Sequence, residues 1–313
     1  MARTRTLALA AALAVLLAGC GADTGAPRPG ALAVTATTTQ VADLVRAVGG
    51  PSVDVHQILA PNSDPHEYEV RPGDVKAIAE SKLVIASGGD VDAWLGDATD
   101  AAGATGRVTT LIDHVRTQTG SEAGQRGDTD PHWWQDPRNG VRAVAAIRDA
   151  LAAADPRAAP GFRRRAAAYT RRIERLDRSI ARCWMRVAPV QRRLVTTHDA
   201  LGYYAHRYGI RVIGAVIPSL STAGAPSAGG LARLVAAIRR EHVMAIFAES
   251  SVNPKVEQAI AQETGAVVGR PLWADSLGPA GSDGSTYLAS LASNTRALVD
   301  GLSGGAVACR LSR

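Results

Sequence analysis

The chain has 313 residues, 46% of them hydrophobic and 20% charged, with a formal charge of +6. That apolar share supports a large core and excludes a disordered chain, and the length suits two domains. The excess arginine crowds residues 157–193 without an interleaved aromatic patch, which argues against nucleic acid as a partner.

In chain order, Arg3 and Arg5 precede a short apolar run over 7–17 and then Leu17-Ala18-Gly19-Cys20. A positive start, a short apolar core and a small-residue cleavage site predict a secretory signal over 1–19. The run falls short of the roughly 20 apolar residues that a membrane span needs. Leu-Ala-Gly-Cys resembles the bacterial lipobox, so Cys20 is expected to carry lipid and residues 20–31 to form a flexible tether. Losing Arg3 and Arg5 with the leader lowers the charge from +6 to +4. Cys183 and Cys309 then remain as an even pair in an oxidising compartment. One disulfide is the preferred reading, with two buried thiols as the alternative.

Strands are predicted at 32–38, 53–59, 81–87 and 107–112, and helices at 40–48, 72–80 and 139–154. Residues 160–187 are dense in arginine, with Ile173, Leu176, Ile180 and Trp184 at helical spacing. They predict one helix of nearly 40 Å at 1.5 Å per residue, long enough to bridge two domains. Beyond it, strands at 194–197, 212–217, 244–248 and 266–269 alternate with helices at 200–208, 229–241, 254–264 and 287–302. Residues 218–230, rich in Ser, Gly, Ala and Pro, read as a mobile surface loop. Alternating strands and helices imply parallel sheets. The expected fold is therefore α/β, two lobes with mainly parallel sheets joined by one long rigid helix. The lobes are placed at 32–159 and 189–313, with the connecting helix at 160–188.

Three of the seven histidines lie in unusual loops: His66 in SDPHEYE, His132 in DPHWWQDP and His198 in TTHDA. Each follows a strand or precedes a helix, where ligands collect in open α/β sheets. Asp275, in LWADSLG, follows the last strand. Three imidazoles and one carboxylate suit a tetrahedral zinc ion in the cleft between the lobes. The bland alternative makes each histidine a cap or a core residue. The proline before His66 and before His132 stiffens each loop, and the coincidence of contexts favours metal. His56, His114, His206 and His242 read as structural or surface residues. Glu67, Asp136, Asp199 and Glu249 are candidates for orienting the rings.

SDPHEYE, DPHWWQDP, THDALGYYAHRYG and LWADSLG together resemble the motifs of the metal-binding lipoproteins of bacterial zinc and manganese ABC transporters, the cluster A-I family. The likeness runs from about residue 32 to 302 and keeps the family's motif order. It implies two α/β lobes on a rigid helix with the metal buried between them, held by His66, His132, His198 and Asp275. The long His-rich loop of many zinc-specific members is absent, since residues 115–130 contain no histidine. Manganese-selective members typically carry glutamate at the third position, so His198 leans the expectation toward zinc. The implied function is capture of a divalent ion, Zn²⁺ ahead of Mn²⁺, for an ABC permease and its ATPase. The expected protein is a lipid-anchored monomer with no catalytic cofactor. A zinc enzyme is the rival class, but four protein ligands close the position that substrate needs, and HExxH, GxSxG and P-loop motifs are absent. An adhesin is the third reading, with nothing in the chain pointing to it directly.

Overall fold

A computed structural model describes residues 30–120 and 127–311. The secretory signal at 1–19 and Cys20 lie outside the described residues. No helix among the described residues is long and apolar enough to cross a membrane.

The first half builds a four-stranded parallel sheet from β1 (Leu32–Ala36), β2 (Val53–Gln57), β3 (Leu83–Ala86) and β4 (Val108–Thr110), in the order β2-β1-β3-β4. Between them run α1 (Thr39–Gly49), α2 (Pro72–Glu80) and α3 (Leu95–Ala101). Thr38 caps α1 by accepting from the Val41 N–H, and Gly50 ends it at φ 55°. α3 had no clear sequence signal, being seven residues long with Gly96 near its start. Every residue of β3 is buried, as a central parallel strand requires.

α4 (Pro137–Ala154) opens on Asp136, which accepts from the Arg138 N–H, and α5 (Ala159–Trp184) follows as a helix of 26 residues. Arg165 at one end of α5 donates to the Val48 and Gly49 carbonyls. At the other, Cys183 is disulfide-bonded to Cys309. In between, buried Asp177 accepts two hydrogen bonds from Arg207 and one from the Tyr208 hydroxyl. The connector is thus fastened along its whole length.

The second half contains β5 (Arg193–His198), α6 (Gly202–Tyr208), β6 (Arg211–Ile217), α7 (Ala228–Glu241), β7 (Ala245–Ile246), α8 (Lys255–Thr264) and β8 (Val267–Val268). β5 pairs with β6, and β7 with β8, all parallel. A bridge from Thr196 to Phe247 joins the two pairs. The resulting order, β6-β5-β7-β8, repeats the second-first-third-fourth arrangement of the first sheet. α9 (Tyr287–Leu302) turns back to pack on α5 and α1. One continuous core takes in Val34 and Ile85 of the first sheet, Leu194 and Phe247 of the second, Ile173 of α5 and Leu298 of α9.

Most of residues 218–230 lie at the surface. Leu220 and Thr222 are buried, and the Thr222 hydroxyl donates to Asp64 Oδ2 at 2.6 Å, tying this loop to the first histidine loop.

Candidate metal centre

All four predicted metal-ligating residues reach one point at the carboxyl ends of the strands. Asp64 caps the short turn Pro65–Glu67 after β2 by accepting the His66 N–H at 3.0 Å, which sets His66 in place. His132 stands just before the turn Trp133–Gln135 that leads into α4. His198 is the last residue of β5. Asp275 follows Leu272, which bridges to Glu249.

Asp275 Oδ2 is 3.2 Å from His66 Nε2 and 3.1 Å from His198 Nε2, and its Oδ1 is 3.4 Å from His132 Nε2. The two Nε2 atoms of His132 and His198 are 3.3 Å apart. Donors about 2.0–2.2 Å from a central ion stand roughly 3.3–3.6 Å apart at the corners of a tetrahedron. The four side chains therefore already frame a site of about the right size. They are almost wholly buried, the His66 side chain being 1% exposed.

The ring orientations come from two carboxylates. His132 Nδ1 lies 2.8 Å from Asp130 Oδ1, and His198 Nδ1 lies 2.5 Å from Glu249 Oε1. With Nδ1–H donated outward, each ring turns the lone pair of Nε2 toward Asp275. His66 Nε2 and both Asp275 oxygens have no hydrogen-bond partner. A cluster of buried electron-pair donors facing one another is electrostatically stable only around a cation or bound protons. Burial opposes charge on His132, but Asp275 and Asp130 outweigh it and raise its pKa. Burial likewise opposes charge on His198, and Glu249 and Asp275 lift it well above the ordinary histidine range. Burial pushes Asp275 up, yet His198 and His132 overcome this and hold it well below the usual carboxylate range.

Of the four orienting candidates, Glu249 bonds a ligand ring, that of His198. Glu67 is exposed, Asp136 caps α4 and pairs with Arg138, and the Asp199 backbone bonds to Ser219. Asp130 was missed, although an acid two residues before a histidine was a readable signal. Its second oxygen accepts from Gln118 Nε2, and a side chain at Gly202 would clash with both partners. His56, His114, His206 and His242 are all exposed and lie outside the cluster.

Asp275 belongs to the second half in sequence, but the first half grips its loop. The Ala274 carbonyl accepts from Trp134 Nε1 and Gln135 Nε2, the Leu277 N–H donates to Thr39, and the Leu277 carbonyl accepts from the Asn62 N–H. The loop of Asp275 is thus held by residues from the first half of the chain.

Residues 34–301 match the family model described as zinc-uptake complex component A, periplasmic. The chain belongs to this family. Its members are the metal-binding solute-binding proteins of ABC transporters. Among relatives, the manganese-binding lipoprotein MntA of Bacillus subtilis (strain 168) is 31% identical over 277 residues, 87% of this chain and 90% of its own. The manganese ABC transporter substrate-binding lipoprotein PsaA of Streptococcus pneumoniae serotype 4 is 26% identical, covering 96% of this chain and 99% of that one. In structure, the periplasmic zinc-binding protein TroA from Treponema pallidum superposes with a TM-score of 0.80 at 26% identity, over 88% of this chain and 100% of that one. TroA shares the α/β fold with mainly parallel sheets seen here.

Proposed function

We propose that this family member captures a divalent transition metal, Zn²⁺ ahead of Mn²⁺, and delivers it to the permease of an ABC transporter with its ATPase. His66, His132, His198 and Asp275 are the proposed ligands. The carrying observation is the convergence of four buried ligating atoms within 4.8 Å of one another, with His66 Nε2 and both Asp275 oxygens lacking a hydrogen-bond partner. Three imidazoles favour zinc. Manganese remains the second reading on one observation: both Asp275 oxygens face the site without partners, so the carboxylate offers a second oxygen to a harder ion. An enzyme is disfavoured because a fourth protein ligand would fill the position that a catalytic zinc keeps open for water or substrate.

In the same reading the mature chain is exported, anchored through lipid on Cys20, and acts as a monomer. The lobe boundaries at 32–159, 160–188 and 189–313 serve as its working division. The shared core and the pinned α5 support local closure ahead of a wide hinge. Release then proceeds by drawing His198, on β5, away from the other three ligands, or by protonating the rings.

Elemental analysis and competition titration of the chain from Gly21 test the proposal. One tightly held zinc per chain, with manganese much weaker, supports it. Tighter manganese would reverse the metal order, and no stoichiometric metal would sink the capture reading.

A further inference from the structure

Away from the metal, the least compensated charge lies on α5, which has eight arginines against two acids. One of those acids, Asp177, is already committed to Arg207 and Tyr208. Phe162, Tyr169, Ile173, Leu176 and Ile180 form the buried face. At about 100° per residue, Arg164, Arg171, Arg175, Arg178 and Arg182 fall within roughly 60° of one another on the opposite face, along about 27 Å of helix. All five are exposed, and none pairs with a carboxylate among the described residues. Surface arginines elsewhere do pair: Arg148 with Asp149, Arg211 with Glu241, and Arg239 with Glu263. The ridge ends in a notch of about 350 Å³ lined by Ser179, Arg182, Arg186 and Arg310, with no acid in its wall. Just past that end, Met185 and Val190 are 72% and 62% exposed.

We propose that this arginine ridge docks on the anionic headgroups of the membrane that holds the lipid anchor. The occupant follows from where the chain begins, and so rests on the anchor reading above. Eleven residues lie between Cys20 and Leu32, a reach of about 40 Å. Leu32 pairs with Val53, and Arg165 binds the Val48 and Gly49 carbonyls just before that strand. The tether therefore meets the fold near Arg165, next in sequence to Arg164, the first arginine of the ridge. A row of guanidinium groups along one helix face suits a plane of phosphates, each group able to grip a phosphate with two hydrogen bonds. Met185 and Val190 supply apolar side chains for the headgroup boundary. Docking would hold the chain flat in the plane where a permease resides.

The test is vesicle co-sedimentation of the chain from Gly21, which keeps the whole described fold and lacks the anchor. Vesicles of phosphatidylcholine, with and without phosphatidylglycerol, serve as probes. Each arginine is expected to contribute about fivefold, so Arg171→Glu, Arg175→Glu and Arg178→Glu together should weaken binding to the anionic vesicles at least 100-fold. A control reversing Arg233, Lys255 and Arg270, exposed on the second half, should change it by less than about tenfold through net charge alone. No preference of the parent chain for anionic vesicles, or equal losses in ridge variant and control, overturns the proposal. Metal titration of the ridge variant reads the capture site independently, and palmitate labelling of the full chain against Cys20→Ala reads the anchor.

Discussion

The two halves of the molecule repeat one strand order but differ in how firmly it is built. The first sheet pairs continuously, β1 matching β2 over five residues. The second is two separate pairs, with β7 and β8 only two residues each and a bridge at Thr196 and Phe247 across the seam. The metal site follows the same division. His66, His132 and, through its gripped loop, Asp275 belong with the first half, whereas His198 and its partner Glu249 sit on either side of the seam. The shortest strand pairing therefore lies next to one ligand.

Several measurements would break or sharpen that contrast. The largest effect should come from Cys183→Ser with Cys309→Ser, which opens a loop of 126 residues. Loop-closure entropy predicts a loss of up to about 5 kcal/mol, measured by denaturant unfolding. Hydrogen exchange should quicken in β7 and β8 before β1 to β4. Equal quickening in both sheets would erase the distinction.

Asp275→Ala should lower metal affinity by more than about 100-fold, beyond the range typical of outer-shell changes. A weaker effect in competition titration would remove Asp275 from the ligand set. Glu249→Gln and Asp130→Asn should each cost about 10–100-fold, because each frees one ring to rotate or change tautomer. If the seam matters, Glu249→Gln should also speed metal dissociation more than Asp130→Asn does, as read by stopped-flow chelation.

Acid should act in the same direction. The raised pKa of His198 means that, without metal, it keeps a proton that the incoming ion must displace. Affinity should hold steady at high pH and fall as pH drops through that raised value, by about tenfold per unit for each proton displaced. Titrations showing stronger binding in acid would contradict the ligand assignment. The smallest effect is expected from Thr222→Val, which removes the bond to Asp64 and should cost about 1 kcal/mol in thermal unfolding.

Features set by short-range chemistry were legible in the sequence. Apolar periodicity marked α5, Pro72 and Pro137 stand in the first turns of α2 and α4, and the loops holding His66 and His132 stood out by their Asp-Pro-His motifs. The Asp130–His132 pair was equally local and was overlooked. What the sequence by itself determined is thus the α/β class, the strand alternation and the set of unusual histidines, because those depend on neighbours within a turn or a strand. Only the tertiary structure decided that Glu249, 51 residues from His198, orients its ring. It alone decided that Trp134, Gln135 and Thr39 hold the loop of Asp275, and that Thr222 anchors a segment whose composition suggested mobility. Those bonds join residues far apart in the chain, where pairing depends on how the layers stack, and no local pattern carries that information.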